Sequence, residues 1–158
     1  MVVSMLRFRR ELDVEDEIYD ILKELRQQKF HNIAVDVKRQ YEIKYDKERK
    51  ADIAVLGNNK PLLLIETKIK KRDKLIRLFR ITSKEILGQV FSYAAILKKS
   101  EIYVPFVAVA HQRQIAIYKV PEDIEKWINW EAVDKREYDR VFTYSHVFKL
   151  NQNYRLKH

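Results

Sequence analysis

The amino-acid sequence predicts one α/β domain over residues 1–158, a sheet with helices on its faces in the order αβββαββα. Three observations predict it. An apolar stripe of helical period lies near the start. A long period-two alternation follows. Short apolar runs, punctuated by Gly, Asn and Pro, then flank a second helical stripe.

The first helix is expected from about Asp13 to Lys29. Asp13 is a suitable N-cap, acids crowd the first turn, and Val14, Ile18, Ile21, Leu22 and Leu25 form the apolar stripe. Then Ile33, Val35, Val37, Tyr41, Ile43 and Tyr45 alternate with Asp36, Lys38, Gln40, Glu42 and Lys44. Arg39 is the one exception. This pattern predicts a long, half-exposed strand, bent midway. Ala51–Leu56 is a short apolar run, and Gly57-Asn58-Asn59 supplies a turn. Pro61–Lys68 reads PLLLIETK, apolar on both faces until Glu66, as suits a central strand covered on both sides. The two runs predict a hairpin.

A basic stretch, Ile69 to Arg80, leads to a second helix at Ser83–Lys98, where Thr82 and Glu85 make a capping box. Tyr103–Ala110 and Gln114–Val120 predict another strand pair around a His111–Arg113 turn. Pro121 suits the first turn of a short helix through about Trp130. Tyr138–Leu150 is ambiguous, and a closing C-terminal strand is one reading of it.

Composition narrows the function classes. The chain has no cysteine, which excludes disulfides, zinc–thiolate sites and iron–sulfur clusters. No apolar run reaches membrane-span length, and the basic residues of MVVSMLRFRR follow the apolar ones, so neither a membrane location nor export is expected. A cytoplasmic location follows as the expectation. The scarcity of Gly and Pro, with abundant Lys, Arg, Glu, Ile and Tyr, points to a thermophilic source. Lys and Arg number 32 against 23 acids, a net charge of +9, which suits a polyanionic partner.

One stretch carries chemistry. Asp52 opens one strand of the predicted hairpin and Glu66 ends the other, so both can lie at one end of the sheet. Glu66 and Lys68 are two apart on a strand and point to one face. Charges beside a core are costly unless paired or metal-bound. Two converging carboxylates repel without a cation, and hard oxygen donors with no His or Cys beside them favour Mg²⁺ or Mn²⁺. A metal held by Asp52 and Glu66 could bind a scissile phosphate and lower the pKa of a bound water. Lys68 could orient that water or stabilise charge on the phosphate. The plainer alternative is a Glu66–Lys68 ion pair at a strand end.

These residues resemble the PD-(D/E)XK, or restriction-endonuclease-like, nuclease superfamily. Within it, RKADIAVLGNNKPLLLIETK followed by GQVFSYAAIL is most similar to the nuclease domain of type I restriction enzyme R subunits. Those domains pair D…ExK with a downstream Q-x-x-x-Y, matched by Gln89 and Tyr93. The resemblance runs from about residue 11 to residue 120. Ala51 stands where the family's naming proline would be, a position that varies widely among members. The resemblance implies a central mixed sheet, one or two divalent ions and hydrolysis of DNA phosphodiesters. It makes Asp52 and Glu66 metal ligands and Lys68 the catalytic lysine. Many members add a carboxylate from the first helix, and similarity to archaeal junction resolvases favours Glu15 over Glu17 for that ligand.

Gln89 and Tyr93 are one helical turn apart. Gln89 would reach the metal or a phosphate with Tyr93 supporting it, or would be a boundary residue beside a core tyrosine. Glu85, a turn earlier, is a further candidate carboxylate, although capping explains it. Lys70, Lys71, Arg72, Lys74, Arg77 and Arg80 follow the proposed catalytic strand and would hold the DNA backbone. No base-reading motif is present. The expected activity is therefore an Mg²⁺- or Mn²⁺-dependent deoxyribonuclease, an endonuclease with little sequence specificity. The alternatives are a junction resolvase, which would need a homodimer, and a non-catalytic DNA-binding module on the same fold.

Overall fold

The computed structural model describes residues 11–26, 28–68, 84–111, 115–152 and 154–157. Helix α1 is Glu11–Leu22, continued by one 3-10 turn at Lys23–Leu25. Strands β1 (Lys29–Phe30), β2 (Ile33–Glu42), β3 (Lys50–Gly57) and β4 (Lys60–Thr67) follow. Helix α2 is Lys84–Lys99, and strands β5 (Phe106–Ala110) and β6 (Ile115–Lys119) come next. Helices α3 (Trp130–Asp134) and α4 (Tyr144–Asn151) precede strand β7 (Tyr154–Lys157).

The strands form one mixed sheet in sequence order, with β2 to β6 as its body and the short β1 and β7 at its edges. Every neighbouring pair is antiparallel except β4 and β5, which run parallel because α2 carries the chain back across the sheet. The predicted hairpin is β3–β4. Its loop is Asn58-Asn59, both with positive φ (50° and 67°), the conformation of a two-residue turn matched to strand twist. Asn tolerates that region better than other side-chain-bearing residues. His31-Asn32 turns β1 into β2 in the same way.

Alternation of side chains builds two cores. Val37, Ile53, Ile65, Ala108 and Ala110 pack with Ile18, Tyr19 and Leu22 of α1 on one face. Ala54, Leu64, Val107, Val109, Ala116 and Tyr118 pack on the other against α2, whose Leu87, Val90, Phe91, Ala94 and Ala95 are fully covered. The chain crossing from β2 to β3 is held by Arg49. This buried guanidinium donates to the Asp46 carboxylate at 3.1 and 3.3 Å and to the Val133 carbonyl at 2.8 Å.

Several boundaries depart from expectation. The first helix was expected to reach Lys29 but ends at Leu22. Tyr138–Leu150, for which a closing strand was one reading, is a 3-10 turn (Tyr138–Arg140) followed by most of α4. Thr143 starts that helix by accepting the His146 N–H at 3.1 Å. The closing strand exists, but as β7, further along. The helix expected from Pro121 to Trp130 is instead a 3-10 turn at Ile124–Lys126 and the separate α3. Asn129 divides them, its side chain accepting the Ala132 N–H at 3.3 Å. Thr82 of the expected capping box lies outside the described residues, as do Gln112 and Arg113 of the expected turn. Among the described residues no helix is long and apolar enough to cross a membrane.

Candidate active site at the ends of two central strands

Ile53 pairs with Ile65 across the β3–β4 ladder, so Asp52 and Glu66 are the next residues outward on adjacent strands. Three hydrogen bonds lock them together. The Asp52 N–H donates to Glu66 Oε1 at 3.2 Å. Thr67 donates its N–H and its hydroxyl to Asp52 Oδ2, at 2.8 and 2.7 Å. Glu66 is only 4% exposed and Thr67 1%, while Asp52 is half-buried. Glu66 lies near the C-terminal end of β4, opposite Val109 of the parallel strand β5. That end of a parallel pair is where α/β sheets usually place ligands. Lys68 follows immediately. Its N–H donates to the Ala110 carbonyl at 2.7 Å, one step beyond the end of β4, and its side chain is half-exposed.

The backbone changes phase at this site. Val37 packs in the α1-side core, whereas Tyr41, four residues on, packs against the α2-side core. Ala51 and Ile53, two apart on β3, likewise lie in different cores. The ladder keeps Arg39 opposite Ile53 and Tyr41 opposite Ala51, so the break falls at Gln40 and Asp52. Gln40 has a φ of 51°, and one left-handed residue is enough to reset strand alternation.

Glu15 comes to the same neighbourhood from α1. It is 3% exposed, and its carboxylate is held from both sides. Arg39 Nε donates to Oε2 at 2.7 Å and Gln40 Nε2 donates to Oε1 at 2.7 Å, while the Arg39 guanidinium also pairs with Asp16. Burial raises the Glu15 pKa above its ordinary value. The Arg39 hydrogen bond opposes that rise, and the negative charge of Asp52 adds to it. Gln40, which holds Glu15, lies at the ladder position facing Asp52, between the Arg39–Ile53 and Tyr41–Ala51 pairs.

Helix α2 supplies the remaining candidates. Gln89 Nε2 lies 3.2 Å from the Tyr93 hydroxyl, as their one-turn spacing requires. Tyr93 is buried, and its phenol is pushed well above the ordinary range, first by burial and then by the charge of Glu66, with a smaller effect of Asp52. Geometry thus links Asp52 to Glu66 and Thr67, Glu15 to Arg39 and Gln40, and Gln89 to Tyr93. Glu85 is exposed in the first turn of α2. Lys70, Lys71, Arg72, Lys74, Arg77 and Arg80 lie outside the described residues. Among the described residues, no three His, Asp or Glu side chains are grouped so as to hold a metal ion.

Three participants did not emerge from the sequence. Thr67 sits inside the ExK spacing, where any residue is allowed. Arg39 carried a signal, as the one residue that broke the apolar alternation of its strand, and Glu15 is its partner. Gln40 showed nothing, because residue type announces neither its positive φ nor its side-chain bond to Glu15 on another element. No protein-family model, curated protein or solved structure matches the chain.

Proposed function

We propose that the chain is a metal-dependent DNA nuclease with a restriction-endonuclease-like sheet. The observation that carries this reading is the interlock of Asp52 with Glu66 and Thr67 at the ends of adjacent central strands, with Lys68 next in line. The mixed sheet, the β3–β4 hairpin and the α2 crossover support it. So does the placement of Glu15, which Gln40 holds at the ladder position facing Asp52, with the Gln89–Tyr93 pair on α2.

The donor set fits Mg²⁺ or Mn²⁺. Mg²⁺ is commonly held by one or two carboxylates, with waters and substrate phosphate completing its shell, so a pair of acids suffices without a protein cage of three. Asp52 and Glu66 are the ligands in this reading. The bound ion would supply Lewis acidity to the scissile phosphate and acidify a water. The chain's own groups do the rest. Thr67 fixes Asp52 in place through one oxygen. Lys68 presents an ammonium to the phosphate or to the attacking water. Arg39 and Gln40 hold Glu15 where the ladder faces Asp52, and Tyr93 bonds Gln89 on α2. The +9 net charge draws a polyanion to the domain.

A second reading, a DNA-binding module that does not cut, draws on one observation. Both oxygens of Glu15 and Oδ2 of Asp52 already accept hydrogen bonds within the protein. The test incubates the protein with linear, circular and branched DNA in Mg²⁺, Mn²⁺ or EDTA, beside Glu66→Ala. The nuclease reading expects metal-dependent cutting that Glu66→Ala abolishes. Cutting that survives the substitution removes Glu66 from the mechanism, and binding without cutting under every condition selects the second reading.

A further inference from the structure

Two aromatic side chains stand in solvent on one short helix. Tyr144 is 78% exposed and Phe148 66%, the two most exposed large apolar residues among those described. They are four apart on α4 and so share a face. Isolated exposed apolar residues are ordinary, but two aromatic rings aligned by helical spacing form a surface. Neither ring contributes to the core beneath, where Leu150 and Val147 do the packing.

The charge beside them is positive. Lys84 Nζ sits 4.3 Å from the Tyr144 ring centroid, a cation–π contact. Lys84 is the first residue of α2, the helix that carries Gln89 and Tyr93. Gln89 is five helical steps beyond Lys84, an axial rise of about 7.5 Å, or roughly two nucleotide rises at 3.4 Å each. The Tyr138–Arg140 turn, which leads into α4, is itself packed on α2. An aromatic, basic surface therefore flanks the helix that borders the carboxylates. Aromatic rings interleaved with lysines fit unpaired nucleic-acid bases, because every base presents a π-face and every linkage a negative charge.

We propose that Tyr144 and Phe148, with Lys84, form a stacking platform for unpaired bases, so that single-stranded or flap-bearing DNA is the preferred substrate. This names the substrate class of the nuclease reading and rests on it for the chemistry. It predicts binding without reference to cleavage, and so the two can fail separately.

The test is fluorescence anisotropy in EDTA with a labelled single-stranded oligonucleotide and a blunt duplex of the same sequence. Wild type should prefer the single strand. Tyr144→Ala and Phe148→Ala should each weaken single-strand binding by on the order of tenfold, with duplex binding nearly unchanged. Tyr144→Trp should retain affinity, whereas the Tyr144→Leu/Phe148→Leu pair should not. Their exposure leaves the fold intact in all these variants. A wild type that prefers duplex, alanine variants that bind as wild type, or a leucine pair with full affinity overturns the platform. The last result would mark the face as an apolar protein-docking surface. In Mg²⁺, wild type that cuts no substrate while its single-strand binding still depends on Tyr144 overturns the nuclease reading and leaves the platform standing.

Discussion

Thr67 gives both of its hydrogen-bond donors, the backbone N–H and the hydroxyl, to one oxygen of Asp52, at 2.8 and 2.7 Å. The arrangement leaves the carboxylate little freedom to turn and removes one oxygen from any other task. Thr67→Val keeps the shape and strand propensity but deletes the hydroxyl. A hydrogen bond to a charged group is worth about 1.5–3 kcal/mol, so a loss near the lower end is expected, together with slower cleavage. Thr67→Ser should restore both. Urea denaturation with equal m-values measures it, and a valine variant as stable and active as wild type would remove the contact from the account.

Lys68 is the cleanest separation of chemistry from structure. Its ladder contact is made by the backbone, which substitution leaves in place, and its side chain is only half-covered. Lys68→Met should therefore keep the thermal midpoint and DNA binding in EDTA. Single-turnover cleavage should fall by about 10²- to 10³-fold, as when one donor to a developing oxyanion is removed. Unchanged cleavage would reduce Lys68 to a surface lysine.

How far the sequence carried this picture depends on the range of each interaction. The β3–β4 hairpin was legible because Asn58-Asn59 dictates a tight turn and the flanking apolar runs are contiguous. Asp52 and Glu66 could be placed together for the same reason. The α2 stripe was equally local. The 24-residue separation of Glu15 from Arg39 left only a faint trace, an arginine where the alternation called for an apolar side chain. The face switch at Gln40 left none, because no residue type announces a positive φ there. In Tyr138–Leu150 the period was ambiguous, and the outcome turned on Thr143 capping α4, a single hydrogen bond.

Glu15 makes a pH prediction with a definite sign. Its folded-state pKa is raised above 4.5, chiefly by burial, with the charge of Asp52 contributing. Between 4.5 and that raised value the folded chain holds more proton on Glu15 than the unfolded chain does. Its contribution to stability is thus fully present below pH 4.5 and is lost as pH rises through the folded-state pKa. Glu15→Gln has no such titration. The stability of wild type minus that of Glu15→Gln, from urea melts across pH in EDTA, should fall with rising pH in that window. A difference that is flat or that rises would contradict the burial of Glu15 beside Asp52.

Gly88 sets propensity against packing. It lies within α2, where alanine is ordinarily preferred over glycine by about 1 kcal/mol. Here a Cβ would come within 2.0 Å of the Tyr138 carbonyl oxygen and 3.2 Å of Val141 Cβ. The obstacle is backbone, so no rotamer change relieves it, and the Tyr138–Arg140 turn must move off α2. Overpacking of this kind costs about 1–3 kcal/mol or more, which exceeds the propensity gain. Gly88→Ala should lower the thermal midpoint by roughly 2–4 °C for each kcal/mol of net loss. Because the turn packs on α2, the helix that carries Gln89 and Tyr93, its displacement should slow cleavage as well. A variant that melts higher than wild type would mean that the turn yields easily, and that α2 is not held against it by close approach at Gly88.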